Sequence, residues 1–160
     1  MGDLSEFSPD IVRFLKNYRW RKIDPVPWTP WRKPLSQSKL ALVSSAGLVP
    51  ENEPLFDETI KGGDFSFREI SSGIQADKLI FSHTSNVFDS DGIKQDPNIV
   101  FPIDRVIEIK RSGWIGAVNH RHLSFMGSIT APGRLIANSA PDAAALFVED
   151  GVDIVMLIPV

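Results

Sequence analysis

The chain has 160 residues, 17 Lys and Arg against 20 Asp and Glu, three His and no Cys, giving a formal charge of −3 at pH 7. That length supports one domain with a core of its own, and the lack of Cys excludes a disulfide framework, a Cys-ligated zinc or iron–sulfur site and a cysteine nucleophile within these residues. No apolar run approaches the roughly 20 residues that span a bilayer, and residues 1–10 lack the basic-then-apolar order of a signal peptide, so a cytoplasmic protein without a membrane partner is expected.

Charge divides the chain: residues 1–38 carry +3 and the remainder −6. Ser8, Pro9 and Asp10 read as N-cap, N1 and N2 of a helix whose Ile11, Val12, Phe14, Leu15 and Tyr18 recur at helical spacing, which predicts a docking stripe. Between residues 24 and 34 a proline recurs every two to four positions and forces an extended path, with Trp28 and Trp31 expected to press into the body or a partner. The predicted division is 1–38, docking helix and Pro/Trp-rich arm, and 39–160, an α/β domain.

From Lys39 the pattern changes to short apolar runs. Residues 40–43 and 78–81 read as strands buried on both faces, and the alternating residues 64–70 as a half-exposed edge strand. Residues 83–98 read as a polar loop. Residues 102–111 predict a helix with Pro102 at N1 and Gly113 as C′, followed by a strand at 114–118. Ser139 and Asp142 come close to a capping box that opens an Ala-rich helix running to Val148 and ended by Gly151, and residues 152–158 read as a final buried strand. Strands alternating with helices predict a single open, mostly parallel α/β sheet of Rossmann or flavodoxin-like kind, in which ligands sit beyond the carboxyl ends of the strands.

Two polar segments follow predicted strands. The small residues Ser44, Ser45, Ala46 and Gly47 could let amides approach a carboxylate or phosphate, or form a plain tight turn; the spaced glycines and the Lys of a nucleotide loop are missing. His83 stands just past a strand end, where an imidazole can serve as acid or base or can anchor the loop. His120 and His122 have a spacing that metals use, but no third ligand is assignable, so no metal is expected and His122 is placed on a loop after the strand. Asp89, Asp91 and Asp96 lack the alternation of a calcium loop. The basic arm is a thin footprint for nucleic acid on an acidic chain, which leaves docking to a protein as its expected use.

Seven blocks taken in order carry a resemblance: Val-Pro-Trp-Thr-Pro (26–30), Leu-Ala-Leu-Val-Ser-Ser-Ala-Gly (40–47), Gly-Asp-Phe-Ser-Phe-Arg (63–68), Ser-His (82–83), Val-Phe-Pro-Ile-Asp-Arg (100–105), His-Leu-Ser-Phe-Met-Gly (122–127) and Asp-Gly-Val-Asp-Ile-Val-Met-Leu-Ile-Pro (150–159). From about residue 26 onward the chain resembles the selenoprotein B family of glycine, sarcosine, betaine and D-proline reductases. The resemblance implies reductive cleavage of a C–N bond in a small amino acid or amine by a selenocysteine or cysteine with a second thiol. It also implies, for the glycine and D-proline enzymes, a partner subunit carrying a pyruvoyl group. On that basis His83 and His122 are candidate proton donors or carboxylate contacts, and Ser44, Ser45, Gly47, Thr84, Ser124 and Met126 candidate substrate contacts.

The family's redox residue would follow Val160. The expectation is a chain cut there, or a UGA codon read as stop, rather than a thiol-less paralogue, because an end inside a buried strand leaves a carboxylate against the sheet. The alternative expectation is a non-catalytic binding or assembly module that oligomerises through residues 1–38.

Overall fold

The computed structural model describes residues 4–19, 22–75, 78–83 and 90–160. Two units divide it, Met1–Arg32 and Lys33–Val160. Among the described residues no helix is long and apolar enough to cross a membrane.

In the first unit, α1 (Pro9–Asn17) begins where the capping chemistry places it: Ser8 takes an extended conformation, its hydroxyl accepts the Ile11 amide at 3.5 Å, and Pro9 occupies the first turn. The apolar stripe is present, with Val12 and Leu15 half-buried and Ile11 46% and Phe14 58% exposed. Within the stripe the Phe14 and Tyr18 rings meet at 5.2 Å. Trp28 and Trp31 are likewise exposed on the extended segment.

The second unit is an α/β layer structure. Its sheet has β1 (Lys39–Ser44) at the centre, with β7 (Ile154–Ile158) along one side and β5 (Ala117–Val118) and β6 (Arg121–Phe125) sharing the other, all parallel to it. β3 (Phe67–Ser71) closes the far edge antiparallel to β6, as the alternation of residues 64–70 predicts. Helices cover both faces. β1 sends Leu42 into one apolar cluster, with Ile103 and Val106 of α3 (Ile103–Arg111), and Ala41 into the other, with Ala143 and Phe147 of α4 (Ala140–Glu149). The mostly parallel α/β fold expected from the sequence is therefore present.

Several elements depart from expectation. Residues 78–81 do not join the main sheet: β4 (Leu79–Phe81) pairs antiparallel with β2 (Leu48–Pro50) in a separate two-stranded sheet, and Ile80 is 40% exposed. Part of the stretch read as loop is helical, in α2 (Ser90–Gln95) and a 3-10 turn at Pro97–Ile99; residues 84–89 lie outside the described residues. The strand expected at 114–118 shrinks to β5, leaving Trp114 71% exposed. Ser139 holds the N-cap position of α4 as expected but makes no capping bond, because a π-helical segment Leu135–Ser139 runs directly into α4 and the Ser139 hydroxyl donates to Phe65 O. The final strand, β7, is an edge rather than a buried lane: Leu157 is 71% exposed and Met156 45%.

At the helix ends local chemistry prevails. Pro102, expected at N1, is instead the N-cap residue of α3 and has no side chain to cap with; Asn98 Oδ1 accepts the Asp104 amide at 3.1 Å, and Gly113 stands just past the helix end at φ +79°.

Candidate functional site

The carboxyl ends of β1, β6 and β7 converge, and a cavity of about 670 Å³ opens there. Its walls are mostly apolar, built from Val43, Phe125, Ile129, Leu135 and Ile158, with Ser44, Ser45, Met126 and Gly127 also lining it. An open α/β sheet places its ligand crevice at this position, because the strand ends there leave loops free to vary around a rigid base.

The chain crosses this rim in a hydrogen-bonded weave. Ser44 Oγ donates to Val100 O at 2.8 Å and accepts the Ala46 amide at 3.2 Å. Ser45 N donates to Ile158 O at 3.1 Å and Gly47 N to Phe125 O at 2.9 Å. The amide cradle expected at 44–47 is thus not formed, since each amide after Ser44 is already committed within the fold. What the segment does offer is the Ser45 hydroxyl, which lines the cavity and accepts the Val160 amide at 2.9 Å, keeping its own proton to donate.

Gly47 is needed for close approach: at φ +69°, a Cβ on it would lie 2.3 Å from Ser82 O, and the Ser82 amide donates to Gly47 O at 2.8 Å. That contact seats His83 at the rim. Its ring reaches Gly127, where a Cβ would stand 2.9 Å from His83 Nε2 and 3.0 Å from Ser45 O. The His83 Nε2 atom is buried, and burial lowers the imidazole pKa below its ordinary value.

His122 is elsewhere. Expected on a loop, it lies inside β6 and is fully buried. Between the pairs Leu40–Val118 and Val43–Leu123, two residues of β1 face four of the opposing lane, so the ladder opens into a bulge. The His122 ring fills that gap. Its Nδ1 accepts the Leu42 amide at 2.9 Å, replacing a ladder carbonyl; its Nε2 therefore carries the proton and lies 2.9 Å from Ser72 Oγ, whose hydroxyl donates to Asn119 O. Burial lowers its pKa to about 4.

The bulge is pinned from outside by Asp150. Its carboxylate accepts two bonds from Arg121 at 2.7 Å each and one from Asn119 Nδ2 at 2.8 Å, which holds it at a pKa of about 2. His120 is exposed beside it, its Nε2 3.9 Å from Asp150 Oδ1. Among the described residues no group of three or more His, Cys, Asp or Glu could hold a metal ion.

Of the residues singled out from the sequence, the structure brings together Ser44, Ser45 and Met126 on the cavity wall, with Gly47 and His83 at its rim. His122 and Ser124 are interior framework: Ser124 Oγ accepts the Leu48 amide at 2.8 Å and is fully buried. Thr84 lies outside the described residues. Sequence reasoning overlooked Gly127 and gave Ser82 no role beyond membership of the candidate loop 82–86. Both stand inside the quoted blocks, but only the packing against His83 distinguishes them.

A family model described as glycine/sarcosine/betaine reductase selenoprotein B matches residues 11–159. The chain is 31% identical over 158 residues to D-proline reductase subunit gamma of Acetoanaerobium sticklandii, covering 98% of this chain and 61% of that one. It is 28% identical over 145 residues to sarcosine reductase complex component B subunit beta of Peptoclostridium acidaminophilum, covering 91% and 33% of the two chains. Against glycine reductase complex component B subunit gamma of Carboxydothermus hydrogenoformans the identity is 29% over 137 residues, covering 84% and 31%. The chain thus spans about three fifths of the first relative and about a third of the other two. No solved structure matches it.

Proposed function

The chain belongs to the glycine/sarcosine/betaine reductase selenoprotein B family, and from that premise we propose that it is a subunit of a cytoplasmic reductase complex that cleaves a C–N bond of a small amino acid or amine. The observation that carries this reading is Ser45 in the wall of an apolar cavity beyond the strand ends, with the His83 ring packed against Gly127 of the same wall. His83, whose charged form burial disfavours, holds or moves a proton at the substrate nitrogen. The Ser45 hydroxyl donates to the substrate carboxylate. With no cysteine among its residues, the chain would work with a selenolate or thiolate supplied from outside them, which provides the nucleophile for the cleavage. A pyruvoyl group, where the complex has one, would sit on a partner subunit.

The test is reconstitution of the chain with complementary reductase subunits and a dithiol reductant, measuring amine release from glycine, sarcosine and betaine and formation of the ring-opened primary amine from D-proline. One of these is expected to turn over, and His83→Ala to abolish that turnover while near-UV circular dichroism stays unchanged. Turnover of none overturns the reductase reading, and full turnover by the variant removes His83 from it.

A second reading, assembly through the N-terminal unit with a copy of the chain or a partner subunit, is favoured by the exposed Phe14 of α1 and Tyr18 at its C-cap and by Trp28, 82% exposed. Light scattering on the full chain is expected to give a defined oligomer that Phe14→Asp dissociates. A monomer in the wild type refutes self-assembly, and failure of the chain to co-elute with the complementary reductase subunits refutes docking to a partner.

A further inference from the structure

We infer that Arg68 and Ser82 form a clamp that fixes His83 at the rim of the cavity, acting as positioning residues. The inference rests on the catalytic reading of that rim for its functional arm and on geometry alone for its structural arm.

Arg68 stands on β3, the antiparallel edge strand, and its guanidinium reaches across to the loop before it. Nε donates to Pro54 O at 2.7 Å and Nη2 to Leu55 O at 3.0 Å, while Nη1 donates to Ser66 Oγ at 2.9 Å. The same group lies 4.3 Å from the centre of the Phe56 ring. Bonds to successive carbonyls need a planar fork of donors, which arginine has and lysine lacks. Asp64, almost fully buried, closes the other end of this loop by accepting the amides of Asp57 at 2.8 Å and Ser66 at 2.9 Å. Residues 54–57 are thereby held by side chains instead of by a ladder.

Phe56 transmits this order to His83 by two routes. Its amide donates to Ser82 Oγ at 3.1 Å, so the backbone preceding His83 is gripped by Phe56 on one side and by Gly47 O on the other. Its ring packs in one cluster with Val49 and Met126, and Met126 precedes Gly127, the residue against which the His83 ring rests. Both the root and the tip of the His83 side chain thus depend on a segment that Arg68 holds. A residue on a sheet edge, remote in sequence and not lining the cavity, comes to control the imidazole there. A displacement of the order of 1 Å at a reacting group costs about 100-fold in rate.

The test uses the full chain and its three histidines, whose ring signals are separable by NMR. Ser82→Ala and Arg68→Met are expected to shift or broaden the His83 signals while those of His120 and His122 stay in place, and Ser82→Thr, which keeps the hydroxyl, to restore the His83 position. In the reconstituted reductase the same two variants are expected to lower kcat about 10- to 100-fold with KM changed less than about twofold. Unmoved His83 signals in a folded Ser82→Ala protein overturn the clamp whatever the activity does. Should Arg68→Met fail to fold, Ser82→Ala carries the test alone. Signals that move while His83→Ala retains full turnover support the clamp and refute the catalytic reading, so the two failures are separable.

Discussion

Removing the His122 ring tests whether an imidazole serves as a strand carbonyl in this sheet. In His122→Ala the Leu42 amide loses its acceptor in a fully buried lane, at about 1–3 kcal/mol, and the lost ring contacts with Phe101 and its neighbours add about 2 kcal/mol, for about 3–5 kcal/mol in all. His122→Asn keeps an oxygen near the position of Nδ1 and is expected to recover about 1–2 kcal/mol of this by satisfying the amide again. The same ring predicts a pH dependence. Its folded pKa of about 4 lies below the ordinary 6.5, so the unfolded chain takes up the proton first and stability falls as pH drops from 6.5 towards 4. Between pH 7 and pH 5 the loss is about 2 kcal/mol from this residue, which His122→Asn does not show. Urea denaturation of both proteins at the two pH values measures the difference, in which the carboxylates common to both cancel. Equal pH dependence in wild type and His122→Asn, or a His122→Ala cost below about 1 kcal/mol, refutes the assignment.

Three further substitutions address the rim and the pin. Gly127→Ala places a methyl 2.9 Å from His83 Nε2, the far end of a movable ring, so it is expected to displace the His83 NMR signals and lower turnover at a stability cost of about 1–2 kcal/mol by thermal denaturation. Gly47→Ala meets the backbone oxygen of Ser82 at 2.3 Å from a left-handed conformation and is expected to cost about 3 kcal/mol or more, read as a fall in the urea midpoint. Asp150→Asn weakens the charge-assisted bonds to Arg121 and is expected to cost about 1–3 kcal/mol at pH 7. Because the Asp150 carboxyl titrates at about 2, below its ordinary 3.8, its contribution is present above pH 4 and is lost as pH falls towards 2; the difference between wild type and variant should narrow over that range.

The parts of the fold legible in the sequence are those whose cause is local. Ser8 and Pro9 start α1, Gly113 ends α3, and the alternation around Phe67 marks an edge strand, because caps, turns and a period of two are written within a few residues. Where the sequence misleads, the deciding partner is distant. Residues 152–158 and 40–43 have the same apolar character, yet β1 is central and β7 an edge, since strand order is set by crossovers that no run of residues records. Ser139 has the spacing of a cap, but its hydroxyl is claimed by Phe65 O, 74 residues away, and the helix already runs through it.

The candidate site follows the same rule, with a sharper consequence. Small residues after a strand predict amides open to a ligand only if nothing else takes them. Here Ile158 and Phe125, from two other strands, take the amides of Ser45 and Gly47, so the segment that looked like a binding loop is a seam between lanes. The two histidines differ for a related reason. Each follows an apolar run or lies within one, and a single sequence cannot say which faces a gap in a ladder and which faces a cavity. His122 gained its acceptor role because β1 and the opposing lane differ by two residues between matched pairs, a mismatch visible only in register. His83 gained its place because Gly47 and Gly127 both lack a Cβ where the ring and its backbone pass. Glycines at 47 and 127 are thus the sequence signal for the rim. It becomes legible once the question asked of each glycine is what a methyl there would strike.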